Sequence, residues 1–311
     1  MALISQIYNI PGNFSVYMLT WILLCAPLVY LLKSNALAVL HIAFTTNYAC
    51  SVGYFDGNDS PWLYLGLVTL IVPHYYQLLK HKKTHNITSV FNWLLPLSVI
   101  IVLNTFVKGN GEFGFLMYVI LFGLFYNMGK FPFFDTQKLR RNGYLVLGSL
   151  GTVFMLLLTS FEWLWGDVLR YEIGFNVQEF YMSSVLFIIT LGTVLYSYSK
   201  KWIQNFNLFQ YVFLLFTIIF FIGLSNSIVS IVLINLITLI LGIMAIKIGA
   251  EKLHFGILNY GLLIITALIV CRFFDTHMSF VVRGLLFVSV GVGFFLTNYM
   301  MLKKQKLKEI K

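Results

Sequence analysis

The chain is short of charge. Asp, Glu, Lys and Arg together make up 10% of its 311 residues, against roughly 25% in soluble domains. With 59% hydrophobic residues and a mean hydropathy of +0.85, it reads as an integral membrane protein. Cysteine is scarce too: Cys25, Cys50 and Cys271 lie apart in apolar runs without a CxxC, so neither a disulfide framework nor a zinc site is indicated, and they serve as small packing residues. No Asp or Glu falls deep in an apolar run, which argues against a proton relay or a cation-coupled carrier. A GxSxG elbow, a Cys–His arrangement and the clustered acids of a membrane-embedded transferase are all lacking, so hydrolase and transferase chemistry have no anchor and no cofactor is implied. The Met1–Asn13 stretch has no basic segment ahead of an apolar one, which excludes a signal peptide.

What is present is a series of apolar runs. They cover roughly 14–32, 35–55, 61–79, 88–107, 113–128, 143–161, 180–199, 206–223, 227–246, 255–272 and 277–299, each close to the ~20 residues that a membrane helix needs. The runs lack polar alternation and are about twice as long as a membrane strand, so helices are expected and a barrel is not. The expectation is an all-α polytopic transmembrane bundle of about eleven helices, one integral-membrane domain over 1–311 with a basic tail at 301–311.

The net charge of +10 raises the question of nucleic acid. The cations, however, sit in short clusters between the runs, the pattern of membrane orientation, and no nucleic acid partner is expected. Lys33, Lys80, Lys82, Lys83, Lys130, Lys138, Arg140, Arg141, Lys200, Lys201, Lys247, Lys252 and the lysines from Lys303 onward fall on one side of the eleven-span topology. Lys108, Arg170 and Arg272 fall on the other, with Asp56, Asp59, Glu112, Glu162, Asp167, Glu172, Glu179 and Asp275. The positive-inside rule then makes the C-terminus cytoplasmic and the N-terminus external, with anionic lipid headgroups as partners of the cationic face, above all of the basic 129–142 connection. Trp62, Trp93, Trp163, Trp165 and Trp202 lie near expected helix ends, as interfacial anchors do. The Glu162–Glu179 connection, rich in Trp163, Trp165, Tyr171 and Phe175, reads either as a short helix on the outer leaflet or as a loop.

Several motifs carry little. Gly109-Asn110-Gly111-Glu112-Phe113-Gly114 matches GxGxxG, but it joins two membrane helices instead of opening a βαβ unit, so it is no nucleotide site. His81 and His85 have i, i+4 spacing without an HExxH glutamate, and a solvated loop explains them better than a metal site. Asn13-Phe14-Ser15 and Asn58-Asp59-Ser60 are sequons that matter only in a eukaryotic secretory pathway. Inside the runs His41, Thr45, Thr46, Asn47, Asn92, Asn104, Gln210 and Asn235 can glue helices together or line a path for a polar solute. Pro27, Pro73 and Pro96 permit kinks, and the pairs Ala245/Gly249 and Gly284/Gly291 suit close helix contacts.

The last two runs hold the charges of greatest interest. Arg272 is expected to close one helix at its partly negative end and Asp275 to open the next at its partly positive end, with Asp275 or Thr276 as N-cap. Arg283 lies eight residues beyond Asp275, a rise of ~12 Å, too far for pairing along one helix. It either snorkels outward or meets a structural partner, or else it binds an anionic headgroup or substrate. Arg283, Asp275, Arg272, Asn47 and His41 are therefore the candidate polar site residues.

The strings Asn259-Tyr260-Gly261, Arg272-Phe273-Phe274-Asp275, Arg283-Gly284-Leu285-Leu286-Phe287 and Gly291, with Gln6-Ile7-Tyr8-Asn9-Ile10-Pro11-Gly12, Trp21 and Pro27-Leu28-Val29-Tyr30-Leu31-Leu32-Lys33-Ser34 near the other end, resemble an uncharacterised bacterial family of predicted polytopic membrane proteins. Its members are often encoded beside GDYXXLXY-domain proteins. The resemblance implies no reaction, ligand or catalytic residue. It implies that members carry further helices before the Gln-x-Tyr motif, so that Met1–Ile10 resembles the tail of such a helix, and the chain is either a short member or lacks an N-terminal part. The bias to Ile, Phe, Asn and Lys suits an AT-rich bacterium, which places the expected site in the bacterial inner membrane.

Two functions follow as expectations: transport or handling of a lipid or amphipathic solute, or a non-enzymatic scaffold or accessory subunit with a protein partner in the membrane. A reporter fused after Lys311 is expected to be active only in the cytoplasm. Activity confined to the outer side would reverse the orientation.

Overall fold

A computed structural model describes residues 13–55, 59–135, 137–168, 174–202, 206–275 and 280–309. Among these residues there is no strand, and the chain is a series of helices. We number them α1 Phe14–Leu31, α2 Asn35–Cys50, α3 Leu63–Thr69, α4 Val72–His81, α5 Asn86–Leu103, α6 Gly111–Gly129, α7 Gly143–Thr159, α8 Gln178–Ser199, α9 Val212–Ser225, α10 Ser227–Glu251, α11 Phe255–Asp275 and α12 Phe280–Glu309. Every apolar run of the sequence falls on one of these helices or, for 61–79, on the pair α3 and α4. Eight helical segments are long and apolar enough to cross a membrane, and the chain is a multi-pass membrane protein. The remaining runs give the shorter α7 and α9 and the interrupted α3–α4. Lys303, Lys304, Lys306 and Lys308 of the expected basic tail lie on the continuation of α12, and Lys311 lies outside the described residues.

The helix ends show why the chain breaks where it does. Asn13, Ser34, His85 and Asn226 accept backbone N–H bonds as N-caps of α1, α2, α5 and α10, which satisfies donors that have no partner inside the helix. Asn13 of the first sequon is thus a cap bound to Ser15, while Asn58 of the second lies outside the described residues. His85 caps α5 whereas His81 belongs to the last turn of α4, so the two rings do not share one helix face. At their other ends α1, α8 and α10 close in the same way. Lys33, Lys201 and Leu253 take φ of 45°, 55° and 52°, and the next amide reaches back to Val29, Ser197 and Gly249 respectively. This is the Schellman closure with a side chain where glycine would be easier.

Of the three prolines, only Pro73 interrupts its helix; Pro27 and Pro96 sit inside continuous α1 and α5. Pro73 offers no N–H, the segment between α3 and α4 unwinds, and carbonyls there need outside donors. His41 Nε2–H donates to Leu67 O at 2.9 Å, and the Tyr30 hydroxyl donates to Leu70 O.

The contacts divide the chain into two compact units, one of residues up to Gly148 with α8, the other of the remainder from Ser149 onward. In the first unit Phe91, Phe113, Met117 and Ile120 are fully buried. Gly148 and Gly129 let the start of α7 approach Tyr126 and bring Leu145 against α6 backbone, since a Cβ on Gly148 would lie 2.4 Å from Tyr126 N. The basic connection between α6 and α7 is stapled down by α5. Asn92 Nδ2 donates to Arg141 O and Trp93 Nε1 to Arg140 O, at 2.9 and 3.0 Å, and Arg141 Nη2 donates to Asn86 Oδ1 at 2.7 Å. Trp93 is here a structural donor as well as a ring near a helix end.

In the second unit Phe213, Phe216 and Phe220 fill the centre. The helices α10 and α11 meet along small residues: a Cβ on Gly249 would lie 2.3 Å from Leu258 N, and one on Gly261 would lie 2.6 Å from Gly242 O. Ala245 and Gly249 therefore make the close contact expected of them, together with Gly242 and Gly261. Gly284 and Gly291 do not, because nothing lies within 4 Å of a Cβ at either. Trp165 also departs from expectation. Its ring is buried, covering Gly223, and its Nε1 donates to Thr159 O at 2.7 Å. The indole fills the core there, and at the start of the Glu162–Glu179 connection Leu164 and Trp165 are buried while Trp163 is exposed; residues 169–173 of that connection lie outside the described residues. Gly261→Leu is expected to cost about 2 kcal/mol of stability through overpacking, read as a lower unfolding temperature in detergent, whereas Gly291→Leu leaves that temperature unchanged.

Candidate functional site

The polar groups that the sequence singled out fall into separate places. In the first unit His41 is 3% exposed. A carbonyl can only accept, so its bond to Leu67 O fixes the Nε2–H tautomer. That contact makes His41 a support of the helix break at Pro73. Its Nδ1 and Thr45 Oγ1, one turn on, are buried without a hydrogen-bond partner among the described residues. Asn47 is exposed, on a different side of α2 from His41. Pro27 is exposed as well, so Asn47 and Pro27 do not meet His41 in an interior polar path.

In the second unit the Arg272–Asp275 pair is built differently from the sequence expectation. Helix α11 continues through Asp275, so Asp275 stands in its last turn and does not cap the next helix; Thr276 lies outside the described residues. A carboxylate at a helix C-terminus is disfavoured by the dipole. Direct pairing offsets this: Arg272 Nη1 donates to Asp275 Oδ2 at 2.6 Å, and the Glu162 N–H donates to Asp275 Oδ1 at 3.3 Å. Arg272 also reaches beyond its own helix. Its Nη2 donates to Ser160 O at 2.7 Å and to Ser160 Oγ at 3.0 Å, with the guanidinium 5.5 Å from the Phe161 ring centroid. Thr159 and Ser160 end α7, whose last carbonyls have no partner inside the helix. Trp165 takes one and Arg272 the other, and the cation also suits the negative end of the α7 dipole. With side chains only 19% and 9% exposed, the pair holds the α7 end to the α11 end.

Arg283 has no such arrangement. It stands one turn into α12, and its Nε is shielded from solvent without a hydrogen bond among the described residues. Asp275, the nearest acid in sequence, is committed to Arg272 and the Glu162 amide. Phe273 and Phe287 stack obliquely at 5.1 Å across this end of the α11–α12 hairpin, while most of α12 faces outward.

One polar site was not foreseen. Glu179, in the first turn of α8 and 3% exposed, accepts with Oε1 from the amides of Lys108, Gly109 and Asn110 at 2.7, 2.8 and 3.4 Å. The glycine-rich loop is thus an anion-binding nest. The protein's own carboxylate occupies it, which is the structural reason that its GxGxxG letters make no nucleotide site. Lys108 Nζ donates to Gly53 O at 3.3 Å, and Gln178 Nε2 to Ser60 Oγ at 2.8 Å, so this side chain network ties three connections together. An acid in the first turn of a helix was visible in the sequence; its pairing with a loop some seventy residues earlier was not.

Arg272→Leu is expected to cost about 2 to 4 kcal/mol, because Asp275 is left buried and the Ser160 carbonyl unsatisfied. Asp275→Asn, which keeps one acceptor oxygen but turns an amide NH2 toward the other donor, is expected to cost less because Arg272 still donates to Ser160, and thermal unfolding in detergent measures both.

Comparison of the chain with family models, with curated proteins and with solved structures gives no match.

Proposed function

We propose that this multi-pass membrane protein handles an anionic amphiphile, a lipid or an amphipathic solute, at the Arg283 end of its last helical hairpin, with the cation-rich ends of its helices facing the cytoplasm of a bacterial cell. The observation that carries this reading is the guanidinium of Arg283. Arg283 is half-buried, and its shielded Nε–H requires an acceptor; Asp275 is already engaged, and the outward helix α12 leaves open space around it. An anionic headgroup or carboxylate supplies what the described residues do not, and the exposed Phe287, one turn further along the same face of α12, offers apolar surface for the remainder of an amphiphile. Anionic lipids are the proposed partners of the opposite, lysine-rich side as well, and about eleven crossings are the proposed topology.

The second reading, a membrane scaffold or accessory subunit, is favoured by a different observation. Gly284 and Gly291 on α12 touch nothing within the described chain, and small residues of this kind let another helix come close.

Arg283→Leu separates the two. Phosphatidylglycerol binding to the purified protein, counted by native mass spectrometry, is expected to weaken about tenfold with an unchanged unfolding temperature, and Arg283→Lys is expected to recover part of it. Unchanged lipid binding in a stable Arg283→Leu protein, together with loss of a co-purifying membrane protein in Gly291→Leu, would establish the scaffold reading instead.

A further inference from the structure

At the far end of the same hairpin, some thirteen residues or ~20 Å along α11 from Arg272, a groove of about 660 Å³ opens between α11 and α12, lined by Gly256, Asn259, Tyr260, Leu263, Phe294 and Asn298. It is a shallow groove open along the outer surface of the hairpin. Gly256 lowers one wall, since it carries no side chain, and Leu263 and Phe294 make the apolar part. The polar part is a pair of carboxamides: Asn298 Nδ2 donates to Asn259 Oδ1 at 3.0 Å and to Phe294 O at 3.0 Å. Both hydrogens of that amide are spent. Asn298 Oδ1 and both hydrogens of Asn259 Nδ2 have no partner among the described residues, and Asn259 is exposed.

Depth gives these groups their meaning. Asn259 lies four residues inside the start of α11, and Asn298 lies five residues before Lys303 on α12, so both are ~6 to 8 Å in from the ends of the apolar stretch. The apolar stretch of α11 before Arg272 is ~25 Å long and fits within a hydrocarbon core of ~30 Å, so these amides stand among the upper methylenes, a few ångströms below the lipid ester groups. Bare amide donors and acceptors on an outward surface at this depth are costly without a partner. Above them Lys252 and, on α12, Lys303 are exposed, with exposed Glu251 as the acid beside Lys252, while His254 accepts the Ile257 N–H with Nδ1 as a neutral cap of α11. A donor pair and an acceptor just below ester depth, apolar walls below and positive charge above, match one class of molecule.

We propose that this groove binds a single glycerophospholipid: its ester carbonyls accept from Asn259 Nδ2, one acyl chain lies along Leu263 and Phe294, and its phosphate lies toward Lys252 and Lys303. The site is separate from Arg283 and holds whatever Arg283 binds.

The test uses the full chain in vesicles of phosphatidylcholine and phosphatidylglycerol that contain a phosphatidylglycerol with a photoactivatable diazirine near its ester. After illumination, labelled peptides are mapped by mass spectrometry, with labelling of α1 as the internal standard for bulk lipid. Label is expected to concentrate on 255–263 and 293–300. Asn259→Leu combined with Asn298→Leu is expected to lower it there about fivefold without changing the label on α1. Leu263→Trp, which fills the groove and keeps both amides, is expected to do the same and decides the matter if the double variant does not fold. Labelling of the groove no stronger than that of α1, or unchanged in both variants, would overturn the proposal in favour of ordinary surrounding lipid. An unlabelled groove with disulfide cross-linking of two copies through Asn298→Cys would overturn it in favour of self-association.

Discussion

A backbone carbonyl in hydrocarbon can be satisfied only by the protein itself, and most of the polar architecture of this chain answers to that constraint. Where Pro73 breaks a helix, His41 and Tyr30 supply the donors for Leu67 and Leu70. Where α7 ends, Trp165 and Arg272 supply them for Thr159 and Ser160. Where α6 begins after a glycine-rich loop, the problem is reversed, and the carboxylate of Glu179 satisfies three amides. The side chains that stood out in the sequence as potential chemistry are mostly spent on keeping irregular backbone inside a membrane protein.

This use of polar residues narrows where function can reside. His41, Asn92, Arg272, Asp275 and Glu179 each have specific structural partners. Among the described residues, unused hydrogen-bonding capacity remains at His41 Nδ1 and Thr45 Oγ1 in the interior of the first unit, at Arg283 Nε at one end of the α11–α12 hairpin and at Asn259 Nδ2 at the other. The latter two belong to α12 or its neighbour, and of the eight candidate spans among the described residues α12 has the smallest buried share. Closely packed glycines at α10–α11 set a rigid base, and the outward helix carries unsatisfied polarity. A surface that meets lipid is therefore a better place to look for a ligand than the interior.

The helices themselves were legible in the sequence. Apolar runs of the right length, separated by short polar connections, place the long helices, and the lack of polar alternation argues against strands. The interruption at Pro73 was legible as a possibility, but Pro27 and Pro96 carry the same chemical signal without a break, because whether freed carbonyls find donors depends on neighbours that the local sequence does not name. Asp275 shows the same limit. By dipole alone it belongs at the start of a helix; it stands at the end of one because Arg272 and the Glu162 amide outweigh the dipole.

Composition and period thus determined by themselves that the chain is helical and multi-pass, since free energy of transfer into a bilayer acts on each run independently of the others. Partner choice was decided only by tertiary structure. Glu179 meets Lys108, Gly109 and Asn110, Arg272 meets Ser160, and Asn298 meets Asn259 across gaps of tens of residues. Such contacts depend on which helices pack together and in what register, and the information for that lies in small differences of packing among many faces that are all apolar.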